Sequence, residues 1–219
     1  MARKRKVDNL LALAVLTTLV ERPMHRYEMA TQMRERGKDR DMDIKWGSLY
    51  TVVRNLEKHE FVEVVGNERE GARPERTIYR ITEAGRAEAR DWVRELLCTH
   101  QPEHHRFVAG LSVAGLLPPQ EVIALLDERL RRLDAEISLR SGELEELSGA
   151  IPRLFLIEAE YGVAMLEAEA AWVTSLRAEL ASGTFPDIDI WQRIHTENIP
   201  PDRMAELMKG GQPHQPDAG

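Results

Sequence analysis

Trp46-Gly47-Ser48-Leu49-Tyr50-Thr51-Val52-Val53-Arg54-Asn55-Leu56-Glu57-Lys58 is followed, after His59 and Glu60, by Phe61-Val62-Glu63-Val64-Val65, and the change of period between the two decides the fold. Leu49, Val52, Val53 and Leu56 keep the i, i+3, i+4, i+7 spacing of one helical face, so residues 46–59 are predicted to form a helix with an apolar inner side. Tyr50, Thr51, Arg54, Asn55 and Lys58 fall on its other faces. The apolar, β-branched run 61–65 reads as a strand. Residues 66–74 are rich in charge and glycine, and Thr77-Ile78-Tyr79-Arg80-Ile81 then alternates like a returning strand. Residues 61–81 therefore predict a hairpin with a long charged tip.

Upstream, Leu10, Leu11, Leu13, Ala14, Leu16, Leu19 and Val20 give residues 7–21 a wide apolar helical face, which Pro23 ends. A second helix is expected over 27–36, with Tyr27, Ala30 and Met33 inward and Gly37 closing it. The charged stretch 38–43 predicts an exposed loop. Downstream, Thr82 is a suitable N-cap for a fourth helix over 83–97. Three short helices followed by a two-stranded hairpin is the order of a winged helix-turn-helix. In that arrangement a small core holds the third helix rigid, so that its outer face can enter a major groove about 12 Å wide. The exposed polar set is then Ser48, Tyr50, Thr51 and Arg54, with Lys45 just ahead. Arg69, Arg73 and Arg76 stand on the wing, and Arg3, Lys4, Arg5 and Lys6 on the N-terminal arm. Winged helices also serve as protein-interaction modules, and Glu70 and Glu75 in the wing fit that alternative.

The second half is read as all-helical, which makes the fold class mainly α. Residues 98–102 predict a linker, and 107–117 an apolar helix that Pro118-Pro119 breaks. From Gln120 a long helix carries Leu126, Leu130, Leu133, Ile137, Leu144 and Leu147 in alternating four- and three-residue steps, with Arg140 interrupting the stripe. Pro152 marks a turn before a last long helix over 153–181. The expected domains are a winged-helix domain over 1–97 and a helical domain over 98–184. A C-terminal extension over 185–219 has a composition that predicts partial disorder.

Net charge is −7, but it is unevenly spread. Residues 1–97 hold 20 Lys+Arg against 17 Asp+Glu, and residues 98–219 hold 10 against 20. A mildly basic first half beside an acidic second half is compatible with binding a polyanion, because affinity follows local surface charge. The lone Cys98 excludes an intrachain disulfide and points to a reduced, cytoplasmic setting. Cys98, Glu103, His100, His104 and His105 are the metal-like cluster, yet Pro102 would spoil helical spacing there. An exposed polar hinge with no metal is the expectation. There is no phosphate-cradling glycine loop, nucleophile elbow or ordered acid–base pair, so neither catalysis nor a cofactor is expected. Trp92, Phe107, Phe155, Tyr161 and Trp172 either line an aromatic effector pocket, with Trp92, Phe107 and Tyr161 the candidate contacts, or belong to ordinary cores.

The motifs Leu13-Ala14-Val15-Leu16, Pro23-Met24-His25-Arg26-Tyr27-Glu28, Gly47-Ser48-Leu49-Tyr50, Leu56-Glu57, Phe61-Val62 and Tyr79-Arg80-Ile81-Thr82-Glu83-Ala84-Gly85 together resemble the PadR family of transcriptional regulators over residues 10–97. Phe107, Leu111, Leu125-Leu126 and Glu128-Arg129-Leu130 resemble the longer type, which has a helical C-terminal domain. The resemblance implies a homodimeric repressor on palindromic operator DNA, responsive to a small phenolic or polyaromatic effector. Ser48 and Tyr50 match its recognition-helix motif and Arg73 its basic wing residue. Contacts between subunits are then expected from Leu126, Leu130, Leu133 and Ile137 on one long helix and Met165 and Trp172 on the other. Two residues depart from the family: Arg26, where glycine is usual, and Glu75, in a wing that is commonly more basic.

Overall fold

A computed structural model describes residues 5–42, 44–68, 76–100 and 105–197. The chain divides into two units, Met1–Pro102 and Glu103–Gly219.

The first unit is arranged around helix α1 (Leu10–Leu19), which is capped by the Asn9 side chain accepting from the Leu11 N–H at 2.8 Å. Leu11 to Leu16 are buried in an unbroken run, as is Leu19. A helix apolar on all sides must be surrounded, and α1 touches the other four helices of this unit and one strand. Pro23 leads into a two-residue strand β1 (Met24–His25) and then α2 (Arg26–Glu35), where the His25 Nδ1 accepts from the Glu28 N–H. Gly37, at φ +65°, turns the chain into a short helix α3 (Lys38–Met42). A single 3-10 turn, Trp46–Ser48, starts α4 (Leu49–Lys58), whose Leu49, Val52, Val53 and Leu56 are buried. Strands β2 (Val62–Glu68) and β3 (Arg76–Ile81) pair antiparallel, with Val62 opposite Ile81 and a bulge between Val64 and Gly66. Helix α5 (Glu83–Cys98) follows, with Thr82 Oγ1 accepting from the Gly85 N–H.

The second unit begins with α6 (Arg106–Leu111) and a 3-10 turn at Ala114–Leu116. Its body is α7 (Pro119–Ser148) against α8 (Ile157–Ser182). Asp127 pairs with Arg177 and Arg129 with Glu169, while Arg140 lies beside Gly162, so the two helices run antiparallel. Val122, Leu126, Val173, Leu180 and Ile188 form the buried cluster. Helix α9 (Ile188–Thr196) closes one end, where the Trp191 indole N–H donates to the Leu117 carbonyl at 2.9 Å.

The structure departs from the sequence reading at several short elements. Residues 38–42 are helical rather than a loop, because Met42, Ile44 and Trp46 pack on the core from this side. The sheet has three strands in the order β1-β3-β2, since Met24 and His25 pair with Tyr79 and Ile78. Helix α9 and Phe185 pack on the helical core, whereas composition predicts a separate extension from residue 185.

Candidate nucleic-acid interface

Helix α4 is sharply two-sided. Its inner residues complete the core, while Tyr50, Thr51, Arg54, Asn55 and Lys58 are exposed. Lys45 is also exposed, and its carbonyl accepts the Ser48 hydroxyl at 2.8 Å, which fixes the turn that starts the helix. The turn is further held from α2, where the Arg34 guanidinium stacks on Trp46 at 4.2 Å from the ring centroid.

Tyr50 is 54% exposed and carries two arginines on its ring, Arg26 at 4.3 Å and Arg54 at 5.8 Å. Among the described residues neither guanidinium has a carboxylate partner, and neither does Lys45. Elsewhere in this unit Arg22 pairs with Glu28, Arg36 with Glu21, Arg80 with Glu63 and Arg90 with Glu83. Hydrogen bonding to Arg36 is the largest influence on the Glu21 carboxyl and holds it below the usual carboxylate range. Arg22, Arg36, Arg80 and Arg90 are thus neutralised by carboxylates, whereas Arg26 and Arg54 meet at an aromatic ring instead, and Arg34 and Arg86 are held by Trp46 and the Val20 carbonyl.

Arg76, at the base of the wing, lies 3.2 Å from His25 Nε2. That imidazole already accepts through Nδ1 from the Glu28 N–H at 3.1 Å.

Arg5 must be removed from the DNA-facing set. Its side chain is 3% exposed and donates to Glu88 at 2.6 Å and also to Glu95, with Asp91 at 3.5 Å. It lies over Trp92 at 5.1 Å. Burial works against its charge, but the hydrogen bonds to Glu88 and Glu95 outweigh burial and raise its pKa further. Arg5 fastens the N-terminal arm to α5. Lys4 and Arg73 lie outside the described residues.

The aromatic set does not converge. Trp92 is 4% exposed in the winged-helix core beneath Arg5, which leaves it no open face for an effector. In the helical unit, Phe107 meets Trp172 edge-on at 6.1 Å and carries Arg129 at 3.7 Å. Tyr161 is exposed on α8, about 16 Å along the helix from Trp172 at 1.5 Å per residue. One small molecule cannot touch both Phe107 and Tyr161 of the same chain. The stripe on α7 needs a similar correction. Leu126 is buried among Val173 and Leu180 of the same chain, and Leu133 is also buried, so neither is open to a second subunit. Leu130 and Ile137 are half-buried, whereas Met165 and Trp172 are exposed. Cys98, His100 and His105 are exposed, Glu103 and His104 lie outside the described residues, and the described residues hold no group of three or more potential metal ligands. No described helix is long and apolar enough to cross a membrane.

Sequence reasoning placed the outer face of α4 but missed the Arg26–Tyr50 stack, which joins residues from two different helices. The available signal was the unusual arginine between His25 and Tyr27.

Residues 15–91 match the model of a family described as transcriptional regulator PadR-like. Among solved structures, Bacillus subtilis PadR in complex with operator DNA aligns at a TM-score of 0.65 and 20% identity, over 78% of this chain and 99% of that one. The same protein in complex with p-coumaric acid aligns at 0.63 and 20% identity, over 79% and 99%. The Vibrio cholerae virulence activator AphA aligns at 0.60 and 16% identity, over 78% and 98%. At these identities the likeness is one of fold. A human curated protein, coiled-coil domain-containing protein 154, is 34% identical over 95 residues; the match takes in 40% of this chain and 14% of that protein's length. The helix order, the three-stranded sheet, the two-sided α4 and the family match agree with one another: residues 15–91 form a winged-helix domain of the PadR-like family.

Proposed function

We propose that the chain is a sequence-specific, cytoplasmic DNA-binding repressor that acts as a homodimer on a palindromic operator and is released by a small aromatic effector. The observation that carries this reading is the outer face of α4. There Lys45, Arg54 and Tyr50 are exposed on a rigidly backed helix and the cations lack carboxylate partners among the described residues. Ser48, Thr51 and Arg76 extend the same set, and Lys4 and Arg73 are retained in it as arm and wing contacts. Unneutralised cations on a protruding helix favour a polyanion, through release of its counterions. The fold shared with Bacillus subtilis PadR, whose complexes with operator DNA and with p-coumaric acid are known, supports the same reading. For the dimer we retain Met165 and Trp172, exposed on α8, with Leu130 and Ile137 at the margin. For the effector we retain Phe107, whose ring has an arginine on one side and an indole edge against it; Tyr161 is a separate and more exposed contact.

The test is selection of binding sites from a random duplex pool with purified protein at physiological salt. The expected product is an inverted repeat with half-sites about one helical turn apart. A pool that shows no enrichment, with binding that is weak, steeply salt-dependent and indifferent to sequence, would instead establish the protein-interaction reading, in which the acidic second half is the working surface.

A further inference from the structure

Two guanidinium groups on one phenol ring is an unusual use of charge. Arg26 is the first residue of α2 and Arg54 lies within α4, yet both sit on Tyr50, at 4.3 and 5.8 Å from the ring centroid. Like charges held this close repel, and among the described residues no carboxylate offsets either of them. Stacking on an aromatic face leaves the N–H donors of a guanidinium in the plane of the group, where they remain free to meet an anion. The described residues do not supply the balancing negative charge, and an anion brought to this face would. The two arginines also belong to helices with different tasks. In a helix-turn-helix the second helix of the pair enters the groove, while the first crosses the backbone. Arg26 stands at the start of that first helix, and Arg54 is on the groove-facing one.

We propose that Arg26 is a DNA-contact residue that grips a backbone phosphate, and that its stack on Tyr50 ties this phosphate contact to the register of α4 in the groove. The assignment rests on the DNA-binding reading above. Arg26 supplies the sequence-independent hold, Arg54 faces the base edges, and Tyr50 is the rigid spacer between them. A phosphate contact weakens binding to all sequences alike when removed, whereas a base contact changes which sequence is preferred.

The experiment uses the full-length protein and the duplex recovered by selection, with affinity measured across a series of salt concentrations. In Arg26→Gln, which keeps side-chain length and removes the charge, the slope of log affinity against log salt should fall by about 0.9 per bound subunit. The sequence recovered by a second selection should be unchanged. Arg26→Lys should restore the slope but not the full affinity, because an ammonium lacks the planar group that stacks on Tyr50. Melting temperatures of both variants should match the parent, since neither change touches the core. An Arg26→Gln protein with the parent's slope and affinity would reduce the stack to a surface contact and overturn the proposal. A changed base preference at one position with an unchanged slope would make Arg26 a base reader, and would also overturn it. If the parent protein itself recovers no operator, the DNA-binding reading fails and this assignment falls with it.

Discussion

The two units of the chain use their apolar residues in opposite ways. In the winged-helix unit Leu11, Leu16, Leu19, Met24, Met29, Met33 and Leu56 are completely buried, and the exposed face of α4 is left to Tyr50, Thr51 and Arg54. In the helical unit Val173 and Pro119 are buried to that degree, while Leu154, Phe155, Tyr161, Met165 and Trp172 are between 49% and 70% exposed. The first unit closes its own core and leaves unneutralised cations outside. The second closes one seam between α7 and α8 and leaves large apolar side chains outside. Exposed aromatic and aliphatic groups are the kind of surface that the proposed homodimer would cover. A regulator of the proposed kind needs one finished unit to meet DNA and one unfinished unit to meet its own copy.

One glycine in each unit separates the tightly closed core from the looser one. A Cβ on Gly85 would lie 2.0 Å from the Phe61 carbonyl oxygen and 2.9 Å from Ile81 Cγ1, so α5 can approach the start of β2 only without a side chain there. In the helical unit a Cβ on Gly162 would meet Arg140 Nη1 at 3.5 Å, an ordinary contact with a flexible side chain. Gly85→Ala should cost about 3 kcal/mol or more, as severe overpacking against backbone does, and should abolish cooperative unfolding of the winged-helix unit. Gly162→Ala should be neutral or stabilising by up to about 1 kcal/mol, because alanine is the better helix former. Urea unfolding followed by fluorescence checks both. Equal stabilities for the two variants would mean that the first unit is no more tightly closed than the second.

What the sequence disclosed follows the same division. Period alone located α4 and its inner face, because Leu49, Val52, Val53 and Leu56 state their own geometry. The hairpin and the long helices were legible for the same reason. The missed elements are short ones. Strand β1 has two residues and α3 has five, and such pieces exist through tertiary contact rather than local propensity. The charge of Lys38, Asp39 and Arg40 concealed the inward-facing Met42. The errors about sites came from partners far away in sequence. Arg5 looks like part of a basic arm, but its carboxylates lie 83 to 90 residues further on. The leucine stripe of α7 predicts a coiled-coil-like seam between subunits, but a period reveals that a face is apolar and never what covers it. Here part of it is covered by α8 of the same chain.

That last point makes the dimer separately testable. If a second copy covers the exposed side of α8, Trp172→Glu should weaken self-association by about a hundredfold or more, the scale of losing an interfacial aromatic anchor. Analytical ultracentrifugation at micromolar concentration should then find monomer, while the winged-helix unit keeps its melting behaviour. A Trp172→Glu protein that sediments as the parent does would place any self-association surface elsewhere on the helical unit.

A smaller loss than that at Gly85 is expected at Arg5, the buried arginine of the winged-helix unit. Arg5→Ala removes a nearly buried cation from among Glu88, Asp91 and Glu95. Deleting one partner of a fully buried pair destabilises by roughly 3–5 kcal/mol. The loss expected here is nearer about 2 kcal/mol, because the Asp91 side chain is already 48% exposed and Glu95 20% exposed, and both can rehydrate. The direction of the effect on DNA separates two roles for the arm. If Arg5 only ties the arm to α5, the melting temperature drops and the salt dependence of operator binding stays as in the parent. If Arg5 leaves Glu88 and Glu95 to meet phosphate, the salt slope falls instead, by about 0.9 per subunit. The short hydrogen bond to Glu88 and the stack on Trp92 favour the first outcome, since a phosphate would have to replace three carboxylates and an aromatic face together.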